Sequence, residues 1–151
     1  MISVCNIADV YMEMNELLHD YYERDSKACR NVPRLDMNWD KFVQLESSGN
    51  TLSAESRKDD GKMNGFVLYI LYEHPQHRGV MFATCNTLAV HLDHRGKGVA
   101  KHLLAFTEPM LRTRGIHTIV HNYRTTYNDA RPLFPKLGYK LIELSYAKEL
   151  V

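Results

Sequence analysis

No apolar run in this 151-residue chain approaches the roughly 20 residues that a bilayer-spanning helix needs. The N-terminus lacks a basic segment followed by an apolar core, because Asp9, Glu13 and Glu16 interrupt it, so the chain is expected to be soluble and unprocessed. Cysteine is scarce. Cys5, Cys29 and Cys85 stand far apart without a CxxC pair, which argues against a metal knuckle or a redox couple and suits reduced thiols in a cytoplasm. An excess of one charge is also missing: 19 Lys and Arg face 18 Asp and Glu, for a net charge of +1. No strong field therefore draws the whole chain to nucleic acid or to an anionic membrane. The sequence has no internal repeat, low-complexity tract or linker, and at 44% hydrophobic its length suits a single domain over 1–151.

What is present is periodic. From Ile7 to Glu23 the apolar residues Ile7, Val10, Met14, Leu17, Leu18 and Tyr21 recur at three- and four-residue steps, as in an amphipathic helix. Trp39, Phe42, Val43 and Leu45 suggest a second short helix ending near Gly49. Strands are expected at Asn50 to Arg57, Phe66 to Tyr72 and Val80 to Val90, the first two joined by the turn formers Lys58 to Gly61. Helical spacing returns at Gly98 and runs to a stop at Gly115. Ile116 to Val120 then reads as a strand, Thr126 to Leu137 as a helix and Tyr139 to Tyr146 as a closing strand. The order α-α-β-β-β-α-β-α-β, with room for a short N-terminal strand, predicts an α/β (α+β) domain whose mixed sheet contains an antiparallel meander.

Chemistry concentrates where the third strand turns into a helix, in Leu88-Ala89-Val90-His91-Leu92-Asp93-His94-Arg95-Gly96-Lys97-Gly98-Val99-Ala100. Gly96 and Gly98 let the main chain approach a bulky anion, and a helix N-terminus adds free N–H donors and the positive end of a dipole. A pyrophosphate suits such a turn. A plain loop can carry similar glycines, and the element order around this one decides between the two readings.

In that order, and in the R/Q-x-x-G-x-G/A pattern met by Arg95, Gly98 and Ala100, the chain resembles the GNAT (Gcn5-related N-acetyltransferase) superfamily. Ala130, Lys136, Leu137, Gly138 and Tyr139 match the family's helix and Leu-Gly-aromatic turn. The stretch Trp39 to Gly61, the His-rich loop and the closing LGYKLIELSYAKEL are similar to small GNAT-like proteins of tailed bacteriophages, which would place the chain in a host cytoplasm. The resemblance implies acetyl-CoA as cofactor, its pantetheine arm lying along Leu88, Ala89 and Val90 in a cleft between two strands. The diphosphate would rest on Arg95, Gly96, Lys97, Gly98, Val99, Ala100 and Lys101, with His91, His94 and His102 flanking the turn.

The catalytic pattern departs from the family. The strand Met81 to Thr87 has no Asp or Glu where many relatives carry a carboxylate, and Phe134 stands where many carry a thiolate-protonating tyrosine. The substitutes are His121 as a base titrating near neutral pH, Tyr123 and Tyr127 as proton donors, and Asn86 to orient a water or the amine. Cys85 reads as a small apolar side chain. His74 with His77, and His117 with His121, lack the further ligands that would complete a metal site, so no metal is expected. The resemblance implies an acetyltransferase acting on a primary amine of a small molecule or protein, with a homodimer left open. The alternative is a weak or inactive member of the fold that binds coenzyme A or a protein partner.

Overall fold

The computed structural model of the chain describes residues 1–28, 35–123 and 132–150. In chain order its elements are β1 (Ile2–Val4), α1 (Ile7–Leu17), α2 (His19–Ala28), α3 (Trp39–Ser47), β2 (Thr51–Arg57), β3 (Met63–Glu73), β4 (Met81–Val90), α4 (Val99–Thr113), β5 (Ile116–His121) and α5 (Leu133–Lys136). They fall into two compact units, Met1–Leu18 with Met37–Asn122, and His19–Asp36 with Tyr123–Val151.

The first unit is organised by one five-stranded sheet in the order β1-β2-β3-β4-β5. The first four strands pair antiparallel, and β5 returns parallel to β4 after the α4 crossover. The sheet is therefore mixed, and the fold is α+β as expected, with β1 as the short N-terminal strand. The β2–β3 turn closes through the Lys58 N–H, which donates to the Lys62 carbonyl at 2.9 Å, while Asp60 accepts from the Lys62 N–H at 3.0 Å.

Every residue of β3 from Met63 to Tyr69 is buried, the mark of a strand covered on both faces. On one face lies α4: a Cβ on Gly65 would stand 2.8 Å from Val99 Cγ1 and 3.3 Å from Leu103 Cδ1, and Tyr69 reaches Thr107. Phe66 and Leu68 alternate to the face where α1 packs on β3 and α3 on β2. The Glu46 carboxylate of α3 accepts from the first N–H groups of α1, Ile7 at 2.6 Å and Ala8 at 3.2 Å, and so caps a helix whose own N-cap, Asn6, makes no side-chain cap bond. Trp39 Nε1 donates to Asn15 Oδ1 at 3.0 Å across the same pair of helices.

Three element expectations are corrected. The periodic stretch Ile7 to Glu23 divides at Leu18, whose N–H bonds to both the Met14 and Asn15 carbonyls, and α2 starts anew at His19. Within Thr126 to Leu137 the described part is helical only over α5, and residues 126–131 lie outside the described residues. Tyr139 to Tyr146 forms no strand: Leu141, Ile142, Leu144 and Tyr146 are 66–95% exposed. Period-two alternation gives a strand only where a neighbour supplies the ladder.

Candidate functional site

The site begins where β4 and β5 part. Their parallel register runs from Met81 with Ile116 to Cys85 with His121 and goes no further, while β4 continues to Val90 paired only with β3. The same place carries a bulge. Leu68 pairs with Thr87 and Tyr69 with Cys85, so Asn86 is the extra residue of β4. From Asn86 to Val90, about 13 Å at roughly 3.3 Å per residue, β4 presents a backbone edge that β5 does not pair.

At the far end of that edge the chain makes a short 3-10 turn, Leu92–His94, and enters α4. Gly96 and Gly98 have φ of +74° and +83°, the left-handed region that other residues adopt at a cost. Open space lies where a Cβ on Gly96 would stand. The amides of Val99, Ala100 and Lys101 precede the first intrahelical bond of α4, so the helix supplies them no acceptor. Its first turn holds no acidic residue, and Lys97, Lys101 and His102 are exposed around it. Two buried polar atoms beside the turn, His94 Nδ1 and Asn64 Oδ1, have no hydrogen-bond partner among the described residues. The Asn64 carbonyl accepts from the His91 N–H at 2.9 Å, which fixes Asn64 at the turn. An anion with several acceptor oxygens suits this donor-rich helix start, whose own first turn carries no carboxylate.

The residues expected to hold a cofactor divide by what they touch. Leu88 is half-buried on the free edge, while Ala89 is fully buried and pairs with Phe66. Arg95 turns back: its Nε donates to the Val90 carbonyl at 3.0 Å, so it braces the turn against the end of β4. Gly96, Lys97, Gly98, Val99, Ala100 and Lys101 form the loop and first helical turn.

Of the catalytic candidates, Asn86 is exposed at the bulge and accepts from the Thr87 hydroxyl at 2.9 Å. His121 sits edge-on to the Tyr69 ring, centroids 6.0 Å apart. Burial pushes its pKa down to about 4, which corrects the expectation of an imidazole titrating near neutral pH. Burial also raises the Cys85 thiol far above its ordinary range, leaving it protonated and inert. Tyr123 belongs to the second unit, where its ring stacks on the buried Phe134 at 5.7 Å, and Tyr139 meets Phe134 edge-on. Tyr127 lies outside the described residues.

At the β3–β4 loop His77 stacks on Phe82 while His74 meets both rings at a tilt. The His74 Nδ1 accepts from the Gln76 N–H at 3.2 Å, so in a neutral ring the proton sits on Nε2, the wrong tautomer for a ligand pointing outward. Among the described residues no three His, Cys, Asp or Glu side chains converge, and no helix is long and apolar enough to cross a membrane.

Three buried participants were missed in the sequence: Asn64, Tyr69 and Thr107. Tyr69 and Thr107 lie 38 residues apart, and no local pattern marks their contact.

Residues 49–141 match the family model described as "Acetyltransferase (GNAT) domain". No curated protein matches the chain. Among solved structures it is similar to the tetramutant of the BH1408 protein from Bacillus halodurans (TM-score 0.84, 14% identity, 99% of each chain). It is also similar to the ribosomal-protein-alanine N-acetyltransferase from Brucella melitensis biovar Abortus 2308 (TM-score 0.71, 23% identity, 99% of each chain). The glucosamine-6-phosphate N-acetyltransferase from Arabidopsis thaliana aligns at a TM-score of 0.74 and 15% identity, over all of this chain and 98% of that one. At these identities the likenesses show the fold.

Proposed function

The chain belongs to the GNAT acetyltransferase family, and we propose that it moves an acetyl group from acetyl-CoA to a primary amine carried by a small molecule or a protein. The observation that supports this most is the parting of β4 and β5 after Cys85 and His121, which gives a free strand edge leading straight into the glycine turn of α4. The Brucella and Arabidopsis proteins are both N-acetyltransferases by name, which supports an amine acceptor.

In this reading the amides of Val99 to Lys101 and the turn at Gly96 to Gly98 hold the diphosphate, with Lys97 and Lys101 adding charge. The edge from Asn86 to Val90 offers backbone groups to the pantetheine amides as an added strand would. When bound, acetyl-CoA would supply a thioester that the amine attacks, coenzyme A leaving as a thiolate that takes its proton from solvent. Asn86 orients the amine at the bulge. With no carboxylate on β4, and with burial holding the His121 pKa down at about 4, deprotonation of the acceptor falls to solvent. His121 then serves as a wall of the site.

The test pairs calorimetric titration with coenzyme A and acetyl-CoA against an amine panel read by thiol release. Tight binding and release with at least one amine is the expected result. Binding without release from any amine would point to the inactive alternative, and no binding would overturn the reading.

A further inference from the structure

Tyr69 on β3, Cys85 on β4 and His121 on β5 are Cα partners in one row across the sheet, so their side chains share the face toward α4. This row is also the point at which β4 and β5 part. Tyr69 is 1% exposed and Cys85 4%. The Thr107 hydroxyl donates to the Leu103 carbonyl at 3.0 Å, which leaves it to accept from the Tyr69 hydroxyl at 3.2 Å. That bond pins the Tyr69 ring, and the His121 ring packs against it at a near right angle of 78°.

Resting on the acetyl-CoA reading, we infer that Tyr69 and His121 set the acyl-chain length of the donor by closing the α4 side of the strand junction behind an acetyl group. Beyond Cys85 and His121 the strands are paired, so a chain lying between them cannot run on in the plane of the sheet and must leave it. Toward α4 it meets the pinned phenol and the imidazole. In this reading the acceptor amine comes from the other face. A packed interior does not yield a methylene-sized space without shifting its side chains. Thr107 is the positioning residue, acting on the donor through Tyr69.

The experiment is calorimetric titration of the folded protein with coenzyme A, acetyl-CoA and butyryl-CoA, without an amine, so that binding is read apart from turnover. If two added methylenes found an apolar cavity they would tighten binding roughly 15-fold. The parent is instead expected to bind butyryl-CoA at least 10-fold more weakly than acetyl-CoA. Tyr69→Leu should bring the two to parity or reverse them, and His121→Ala, a change at a less buried position, should do the same if the first variant does not fold. Equal binding of both thioesters by the parent, or an unchanged ratio in a folded variant, overturns the inference. Coenzyme A binding that ignores acyl length overturns this inference alone, whereas failure of coenzyme A itself to bind removes the cofactor reading and this one with it.

Discussion

His121 ends the parallel register of β5 opposite Cys85 on β4, and its imidazole lies edge-on to Tyr69, partly withdrawn from water. A cation there would lose its hydration without a compensating charge. The ring therefore stays neutral in the folded state down to about pH 4, against 6.5 in the unfolded chain.

The first prediction is a stability slope. Between pH 6.5 and 4 the unfolded chain binds the extra proton, so this group's contribution is complete above 6.5 and is lost as pH falls toward 4. The loss is on the order of 2–3 kcal/mol. Urea unfolding of the parent and of His121→Phe at pH 7 and 4.5 isolates it, and a parent that loses no more stability than the variant would refute the burial argument.

The second prediction concerns rate. If solvent takes the acceptor's proton, the acidic limb of kcat/KM belongs to the amine, and His121→Ala keeps that limb in place. A limb that vanishes in the folded variant would restore the imidazole as the base.

At Gly65 the third prediction is steric. A Cβ would meet the Ala89 carbonyl at 3.2 Å as well as Val99 and Leu103, and the backbone oxygen cannot swing away as a side chain can. Gly65→Ala is expected to cost about 1–3 kcal/mol. Because Val99 opens α4, it should also shrink the rise in thermal midpoint that acetyl-CoA produces. An unchanged urea midpoint would show that α4 moves aside freely.

A fourth prediction separates strain from function. Gly98 and Gly49 both hold positive φ, at +83° and +75°. A leucine at either should cost about 1–2 kcal/mol, yet only Gly98→Leu should abolish the acetyl-CoA-dependent rise in thermal midpoint. Loss of the rise in both variants would mean that the effect comes from general destabilisation.

The fifth prediction turns on Arg57, whose guanidinium bonds Glu13 at 2.7 Å, Glu55 at 2.7 Å and the Gly61 carbonyl at 2.8 Å. Glu55 is 8% exposed, so Arg57→Ala strands a nearly buried carboxylate and should cost about 3 kcal/mol. Glu13 has a side chain 44% exposed, and its carboxyl sits below the usual range because of the bond to Arg57. Glu13→Ala should cost at most about 1 kcal/mol. Chemical denaturation of both variants checks the order, and equal losses would show that Glu55 finds water or another partner.

Local chemistry made several features legible in the residues alone. Runs bounded by turn formers gave β2 and β4 nearly to their ends and the middle of β3, whose first residues Met63 to Gly65 were missed, and the Arg95 to Ala100 pattern marked the turn into α4. Both depend on interactions within a few residues, which is why one sequence suffices to read them. The division of the first helix at Leu18 and the absence of a strand over Tyr139 to Tyr146 were not legible, because helical spacing runs through Leu18 and strand alternation does not show whether a neighbour supplies the ladder.

The residues alone thus marked the run of three strands, the helix and the strand from β2 to β5 and the position of the glycine turn, since strand periodicity and positive φ are local properties. Only the tertiary structure decided that β4 and β5 part after Cys85 and His121, and that Asn86 is the bulged residue. Only it turned Arg95 into a brace on Val90 and joined Tyr69 to Thr107 behind His121. Register and burial arise between strands and helices far apart in the sequence, and it is burial, not residue type, that lowers the affinity of His121 for a proton.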